Sequence, residues 1–243
     1  MEIKYESCSA SVHNKTLLLP AEGIGNVGQL AVDLIIHNAS LCCIASLRDP
    51  HNVLPCIGSD PYGASGSTTS SELQLYGKPN YDNVVLQQRG CTAIGRQSRY
   101  AESLADFVLE SGFDKVIMLG STRAAEGGNG FQHPAPRFKC SCPEAFNVEA
   151  TSWHELEDKD PVTGIRYVDQ HLSPFAFFCA AQARGLQVCL VLLPVDDEGD
   201  NSQDAKMLAS AATQLLEHPY QGNHTSWLAP PSWIVFGQQR VAY

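Results

Sequence analysis

Four short apolar runs are the feature of this 243-residue sequence that most constrains its fold. They are TLLL (16–19), LCCIASL (41–47), DKVIMLGS (114–121) and LQVCLVLLP (186–194). Apolar runs of this length are typical of strands that are buried on both faces, as the strands of parallel sheets are. No run approaches the ~18 apolar residues that a membrane span needs, so we predict no membrane association.

Segments with helical spacing of their apolar residues separate these runs. In QLAVDLII (29–36), for example, Leu30, Leu34 and Ile35 fall on one face of a helix. Further helices are predicted at 98–112, 173–185 and 202–218. Helices that alternate with buried strands indicate an α/β fold. We therefore predict a three-layer sandwich with a mostly parallel or mixed central sheet flanked by helices.

The remaining segments are predicted with less regular structure. Residues 72–76 and 84–89 are predicted as two strands around a turn, and the glycine- and proline-rich stretches 49–71 and 121–150 as mostly loop. The length suits one α/β domain, so we predict a single domain over 1–243 with a flexible C-terminal tail from about residue 238.

The charge balance is acidic, with 26 Asp and Glu against 16 Lys and Arg and a formal net charge of −10. No basic run or stripe is present, which argues against nucleic acid as a partner. An acidic surface is compatible with a basic protein partner, but it also serves solubility alone, and the sequence leaves both interpretations open.

Nine cysteines are present, an odd number, and several of them lie in the apolar runs. Free cysteine packs as a small hydrophobic residue. The first residues, MEIKYESCSA, lack the basic-then-apolar pattern of a secretory signal. We therefore predict a reducing compartment, with a cytoplasmic and nuclear location.

A glycine motif between the first run and the first helix has two interpretations. Gly23, Gly25 and Gly28 fit the G-x-G-x-x-G pattern of dinucleotide-binding turns, and Asp49 follows the next predicted strand about 20 residues later, where such sites place a ribose-binding acid. Glycines at a strand-to-helix turn also serve close packing without any ligand. We favour packing and keep a dinucleotide-binding enzyme as the alternative.

The sequence contains few other patterns that indicate a metal or catalytic site. Cys140 and Cys142 form a C-x-C pair that lacks the second half of a zinc site. Neither a nucleophile elbow nor a P-loop lysine is present. We predict no catalytic residues, no metal and no cofactor.

The run TLLLPAEGIGNVGQLAVDLII (16–36) resembles the N-terminal signature of the proteasome assembly chaperone 2 family, in particular at Gly25, Asn26, Val27, Gly28 and Gln29. PYG (61–63), the acidic loop and helix from 194 to 216, and PPSWIVFG (230–237) are similar to later parts of that family. The resemblance covers nearly the whole chain and is weakest from about 121 to 172.

This resemblance implies a non-enzymatic chaperone that assembles the α-ring of the 20S proteasome. The expected partners are proteasome assembly chaperone 1, as the other half of a heterodimer, and proteasome α-subunits. It also implies that a C-terminal tail binds a pocket between α-subunits, through a hydrophobic-tyrosine-any pattern and a free carboxylate. Here the tail is Val241-Ala242-Tyr243, which has alanine where the pattern has tyrosine.

Overall fold

The computed structural model describes residues 1–5, 11–63, 69–123, 135–157, 159, 164, 173–195, 200–216 and 226–233. Its helices are α1 (Val27–Asn38), α2 (Gln97–Ser111), α3 (Ser173–Ala183) and α4 (Ser202–Gln214). Its strands are β1 (Glu2–Tyr5), β2 (Thr16–Pro20), β3 (Cys42–Arg48), β4 (Ile57–Ser59), β5 (Thr69–Ser71), β6 (Leu73–Gly77), β7 (Asn83–Gln88), β8 (Lys115–Arg123), β9 (Arg137–Cys140), β10 (His154–Glu155) and β11 (Gln187–Val195).

Nine of these strands form one mixed sheet in the order β1-β3-β6-β7-β2-β8-β11-β9-β10. The four central strands β7, β2, β8 and β11 run parallel, while β3, β6 and β7 are joined by antiparallel pairing. β4 and β5 form a separate antiparallel pair. The prediction of a mostly parallel or mixed sheet is confirmed.

The central strands are apolar throughout because helices cover both of their faces. Leu17 and Leu19 of β2 point into a core under α2 and α3, whereas Leu18, between them, points into a core under α1 and α4. Alternate residues of β8 and β11 divide in the same way. The three-layer α/β architecture predicted from the apolar runs is therefore confirmed.

Glycine follows two of the helices, at the last residues of the predicted segments 98–112 and 173–185. Gly112 follows α2 with a φ of 69°, and Gly185 follows α3 with a φ of 72°. After α3 the amide of Leu186 donates to the carbonyl of Ala181 at 3.1 Å, which is the hydrogen bond of a Schellman motif. These left-handed residues turn the chain directly into β8 and β11.

Several details differ from the sequence-based predictions. The short strand β1 was not predicted, and the predicted loops contain β4, β5 and β9. β7 and β8, which α2 connects, are not neighbours in the sheet, since β2 lies between them and pairs with both. Strand order is set by long-range packing of the helices, which local patterning does not record.

Candidate functional site

The glycine motif forms the connection from β2 to α1. Gly25 has a φ of 63° and Asn26 a φ of 53°, so two consecutive residues adopt the left-handed conformation. This conformation is accessible to glycine and tolerated by asparagine. The turn places the start of α1 beside the carboxyl end of β8.

The three glycines of the motif face protein atoms at close range. A side chain at Gly28 would collide with the carbonyl oxygen of Leu119 in β8, and one at Gly25 with the side chain of Asn201. A Cβ at Gly23 would lie 2.8 Å from Oγ of Ser121. The glycines thus let α1 approach β8 and the start of α4 more closely than residues with a side chain would allow.

Asp49 does not lie beside these glycines. It follows β3, which β6 and β7 separate from β2, a distance of three interstrand spacings or about 14 Å. Its buried carboxylate accepts two hydrogen bonds of 3.0 Å from the amide of Asn52 and stabilises the turn after β3. In dinucleotide-binding folds the acidic strand is the neighbour of the glycine strand. The geometry therefore favours the packing interpretation of the motif.

A partly buried polar cluster lies under α1, formed by Asp33, Tyr62, Gln87 and Arg89. Atom Oδ1 of Asp33 accepts hydrogen bonds from the hydroxyl of Tyr62, from Nε2 of Gln87 at 2.6 Å and from Nη2 of Arg89 at 2.7 Å. Nη2 of Arg89 also donates to the Tyr62 hydroxyl at 2.9 Å. One carboxylate thus joins α1 to the end of β7 and to the Pro-Tyr-Gly loop at 60–63.

Aromatic contacts complete this polar cluster. The guanidinium of Arg89 lies 5.6 Å from the ring centre of Tyr62, which packs edge-on against Tyr76 at 5.4 Å. Burial and the negative charge of Asp33 hold the pKa of Tyr62 well above its ordinary value, so its hydroxyl stays protonated and can donate. Burial lowers the pKa of Arg89, but the charge and hydrogen bond of Asp33 together with the neighbouring Tyr62 and Tyr76 outweigh burial, so the net pKa of Arg89 is raised.

Some buried polar atoms in and beside the cluster have no hydrogen-bond partner among the described residues. They include Nε of Arg89, Oε1 of Gln87 and Oε1 of Gln29. Most such groups in proteins are paired. The unpaired atoms make the cluster sensitive to substitution, because removing one member leaves more buried polar atoms unsatisfied.

A C-terminal segment, residues 226–233, binds across α4, α1 and the Pro-Tyr-Gly loop. The side-chain amide of Asn38 donates to the carbonyl of Leu228 at 2.9 Å, and its oxygen accepts from the Leu228 amide at 3.0 Å. The indole of Trp227 donates to Oγ of Ser210 at 2.8 Å. The amide of Ser232 lies 3.4 Å from the carbonyl oxygen of Pro61. This segment fixes the position from which the last ten residues, 234–243, continue.

The predicted tail residues Val241, Ala242 and Tyr243 lie outside the described residues. So do residues 234–237 of the PPSWIVFG stretch, whose earlier part includes a helical turn at 231–233. The segment 226–233 is thus the last described part of the chain before the tail.

Three exposed apolar side chains, Leu54, Ile57 and Ile94, here called the apolar patch, lie on the segments that follow β3 and β7. Their exposed fractions are 53%, 84% and 100%, which is unusual for large apolar side chains. Backbone hydrogen bonds tie the two loops together, from Leu54 to Cys91 at 2.9 Å and from Ala93 to Asn52 at 2.8 Å. Leu54 and Ile94 are therefore presented by two loops that are hydrogen-bonded to each other, and Ile57 begins β4.

A groove of about 1120 Å³ adjoins this patch and the polar cluster. The end of α1, the outer part of β3 and β6, and the β4–β5 pair surround it, and Ile57 and Tyr62 both contribute to its lining. Its walls carry both charges, such as Arg48 paired with Glu72 at 3.4 Å. The groove extends the exposed surface around the patch.

The described ranges hold neither a metal-binding cluster nor a helix that could span a membrane. There, no three His, Cys, Asp or Glu side chains are grouped closely enough to hold a metal ion. None of the helices found in those ranges is long and apolar enough to cross a membrane.

Comparison with known families decides where this chain belongs. The model of the PAC2 family matches residues 17–216, which include the glycine turn, the polar cluster and α4. The chain belongs to the PAC2 family. The family resemblance seen in the sequence is thereby confirmed.

Curated members of this family match over most of their length. Proteasome assembly chaperone 2 of Danio rerio is 28% identical over 91% of both chains. Proteasome assembly chaperone 2 of Mus musculus is 29% identical over 92% of both chains. The alignment therefore extends over nearly the whole of each protein.

Solved structures share the fold at low sequence identity. A Pyrococcus furiosus protein described as PbaB, an archaeal proteasome activator, aligns with a TM-score of 0.66 and 16% identity over 99% of this chain and 97% of its own. PbaA of Pyrococcus furiosus, described as an archaeal homolog of proteasome-assembly chaperone, aligns with a TM-score of 0.66 and 16% identity over 98% of this chain and 90% of its own. These likenesses establish the PAC2 fold.

Sequence reasoning did not find the polar cluster, although two signals for it exist. Asp33 is an acid in the middle of the apolar run LAVDLII, and PYG was noted only as part of the family resemblance. A buried acid in an amphipathic helix requires a partner, but the partner, Arg89, is 56 residues away in sequence.

Removing Arg89 tests the structural role of the cluster. We expect Arg89→Ala to lower the free energy of unfolding by about 3 kcal/mol, because the buried Asp33 loses its compensating charge. Denaturant unfolding measures this change. The control Arg99→Ala, at an exposed position on α2, should change stability by less than about 0.5 kcal/mol. Equal losses of unfolding free energy in the two variants would contradict the role of the cluster. The double variant Asp33→Asn with Arg89→Ala should recover part of the loss seen in Arg89→Ala.

The pH dependence of stability at alkaline pH tests whether the folded chain keeps Tyr62 protonated. The unfolded chain releases the Tyr62 proton near the ordinary pKa of 10.0, whereas the folded chain retains it because the pKa is raised. The stability linked to Tyr62 is thus complete below pH ~10 and falls as the pH rises further. In Tyr62→Phe the decrease of the unfolding free energy above pH ~10 should be shallower by about 1.4 kcal/mol per pH unit. An unchanged slope in denaturant titrations at pH 9 to 11 would count against a buried neutral Tyr62.

Proposed function

We propose that this chain is a non-enzymatic chaperone that promotes assembly of the α-ring of the 20S proteasome. The observation that carries the proposal is the match over about nine-tenths of both chains to proteasome assembly chaperone 2 of several animals. The glycine motif, which also fits a dinucleotide-binding turn, brings α1 close to β8 and to the start of α4 in this structure. A chaperone acts through binding surfaces and needs no nucleophile or cofactor.

The chain acts as one half of a heterodimer with a proteasome assembly chaperone 1 subunit. The apolar patch of Leu54, Ile57 and Ile94 is the surface for this partner, because burying large exposed side chains supplies most of the affinity of a stable interface. Since proteasomes are assembled inside the cell, we place the pair in the cytoplasm and nucleus.

The C-terminal tail binds the ring. Ten residues follow Trp233, and they extend over at most about 35 Å from the segment anchored by Asn38 and Trp227. The terminal carboxylate accepts a charge-assisted hydrogen bond from a lysine in a pocket between α-subunits. Tail and docking face then act together by avidity, so the tail by itself can be weak.

Charge substitution in the apolar patch tests the partner surface. We expect Ile94→Glu to weaken binding to the chaperone 1 subunit at least about ten-fold, because 1.4 kcal/mol of lost burial corresponds to a factor of ten. Titration of the two purified subunits by calorimetry measures this. Leu109→Glu is the matched control, since Leu109 is a half-exposed apolar residue on the outer side of α2 and should leave the affinity unchanged. Equal weakening in both variants, or none in either, would place the interface elsewhere.

Deletion of Val241–Tyr243 tests the tail. The truncated chain, in complex with its partner, should bind isolated α-rings about ten-fold more weakly, because a charge-assisted contact of about 1.5–3 kcal/mol is lost. The affinity between the two chaperone subunits should not change. Ala242→Tyr restores the tyrosine of the family pattern and should bind more tightly than the natural chain. An unaffected ring affinity in both variants would remove the tail from the mechanism.

The anchor of the tail is tested in the same ring-binding assay. Asn38→Ala removes both hydrogen bonds to Leu228 and should weaken ring binding while sparing the heterodimer. His37→Ala, on the same turn of α1, is the control. Hydrogen exchange at Leu228 shows whether the anchor was released, and unchanged ring binding after its release would contradict this positioning role.

A further inference from the structure

Two cysteines face each other across a pair of antiparallel strands. Cys140 ends β9, and the register of β9 and β11 places it directly opposite Cys189. The two sulfur atoms lie 2.7 Å apart, and both residues are free thiols. This contact belongs neither to the polar cluster nor to the apolar patch.

The backbone at this position suits a disulfide. The amide of Ser141 donates to the carbonyl of Val188 at 2.9 Å, so the neighbouring residue pair is the hydrogen-bonded one. Cys140 and Cys189 are then a non-hydrogen-bonded pair, in which Cα atoms lie about 4.5 Å apart and side chains are closest. A disulfide accommodates Cα separations of about 4.4–6.8 Å. The bond can form without a shift of either strand.

The two thiols differ in their access to solvent. Cys189 is fully buried in the core under α1 and α4, whereas Cys140 is half-buried at the edge of that core. The hydrogen bond with Cys140 and burial raise the pKa of Cys189, which keeps it protonated. A small oxidant therefore reaches Cys140 first and finds Cys189 in position to react next.

We propose that Cys140 and Cys189 form a dithiol site that a hydroperoxide oxidises to an intramolecular disulfide. The sulfur of Cys140 attacks the hydroperoxide, the O–O bond breaks, and a sulfenic acid and an alcohol (water, from hydrogen peroxide) are formed. The sulfur of Cys189 then attacks the Cys140 sulfur, the S–O bond breaks, and water leaves with the Cys189 proton. The two thiols lose two electrons and the hydroperoxide gains them.

The disulfide joins the outer strand β9 to the central strand β11. It closes the chain between residues 140 and 189, which includes β10 and α3. A thiol reductant reverses it. The register of β9 with β11 and the exposure of the two cysteines support this site, which is independent of the proposed chaperone function.

The test uses the full chain, fully reduced and then treated with one equivalent of hydrogen peroxide. Free thiols are alkylated and the protein is digested with trypsin. We expect the peptides 140–159 and 185–206 to appear as the dominant cross-linked pair, two hydrogens lighter than their sum and separated by dithiothreitol. A failure to find this pair, with the exposed Cys42, Cys91 and Cys179 oxidised instead, would overturn the proposal.

Cysteine variants test which residue acts in each of the two oxidation steps. Cys142→Ser, two residues from Cys140 on the same peptide, is the matched control and should leave the cross-link intact. Cys140→Ser should abolish it. Cys189→Ala, which keeps a small apolar side chain in the core, should leave Cys140 as a sulfenic acid that dimedone labels. A cross-link that is lost in Cys142→Ser, or the absence of a dimedone adduct on Cys140 in Cys189→Ala, would contradict the assigned roles.

Discussion

The carboxylate of Asp33 is the interaction on which the arrangement of the candidate surfaces depends. It joins helix α1 to Arg89 at the end of β7 and to Tyr62 in the Pro-Tyr-Gly loop. The same loop meets the C-terminal segment at Pro61. A buried ion pair adds little net stability compared with apolar packing, but removing one partner is strongly destabilising. The cluster therefore restricts the geometry of the loop and of the tail anchor more than it adds to the stability of the fold.

Close packing at the glycine turn sets where that carboxylate lies. Gly28 brings the start of α1 against the carbonyl of Leu119, and this contact fixes the helix relative to the central sheet. Asp33, five residues later, then reaches β7. The same residues that resemble a dinucleotide turn thus serve helix–sheet packing.

Local sequence patterns predicted the layers of the fold but not its long-range pairings. The runs at β2, β8 and β11 are predictable because both of their faces are buried, and α2 is predictable from the helical spacing of its apolar residues. The order of the strands and the short strands β1 and β9 depend on contacts between distant segments, which periodicity does not contain. The ion pair of Asp33 with Arg89 and the contact of Cys140 with Cys189 were missed for the same reason.

Family membership and the packed glycine turn together support a chaperone that acts through surfaces. The most direct test is quantitative mass spectrometry of the proteins that co-purify with the tagged full-length chain from cells of its source. If the chain has this chaperone function, we expect a second PAC2-fold subunit in equal amount, together with proteasome α-subunits at a lower level. Recovery of neither, above the level in an untagged control, would contradict it.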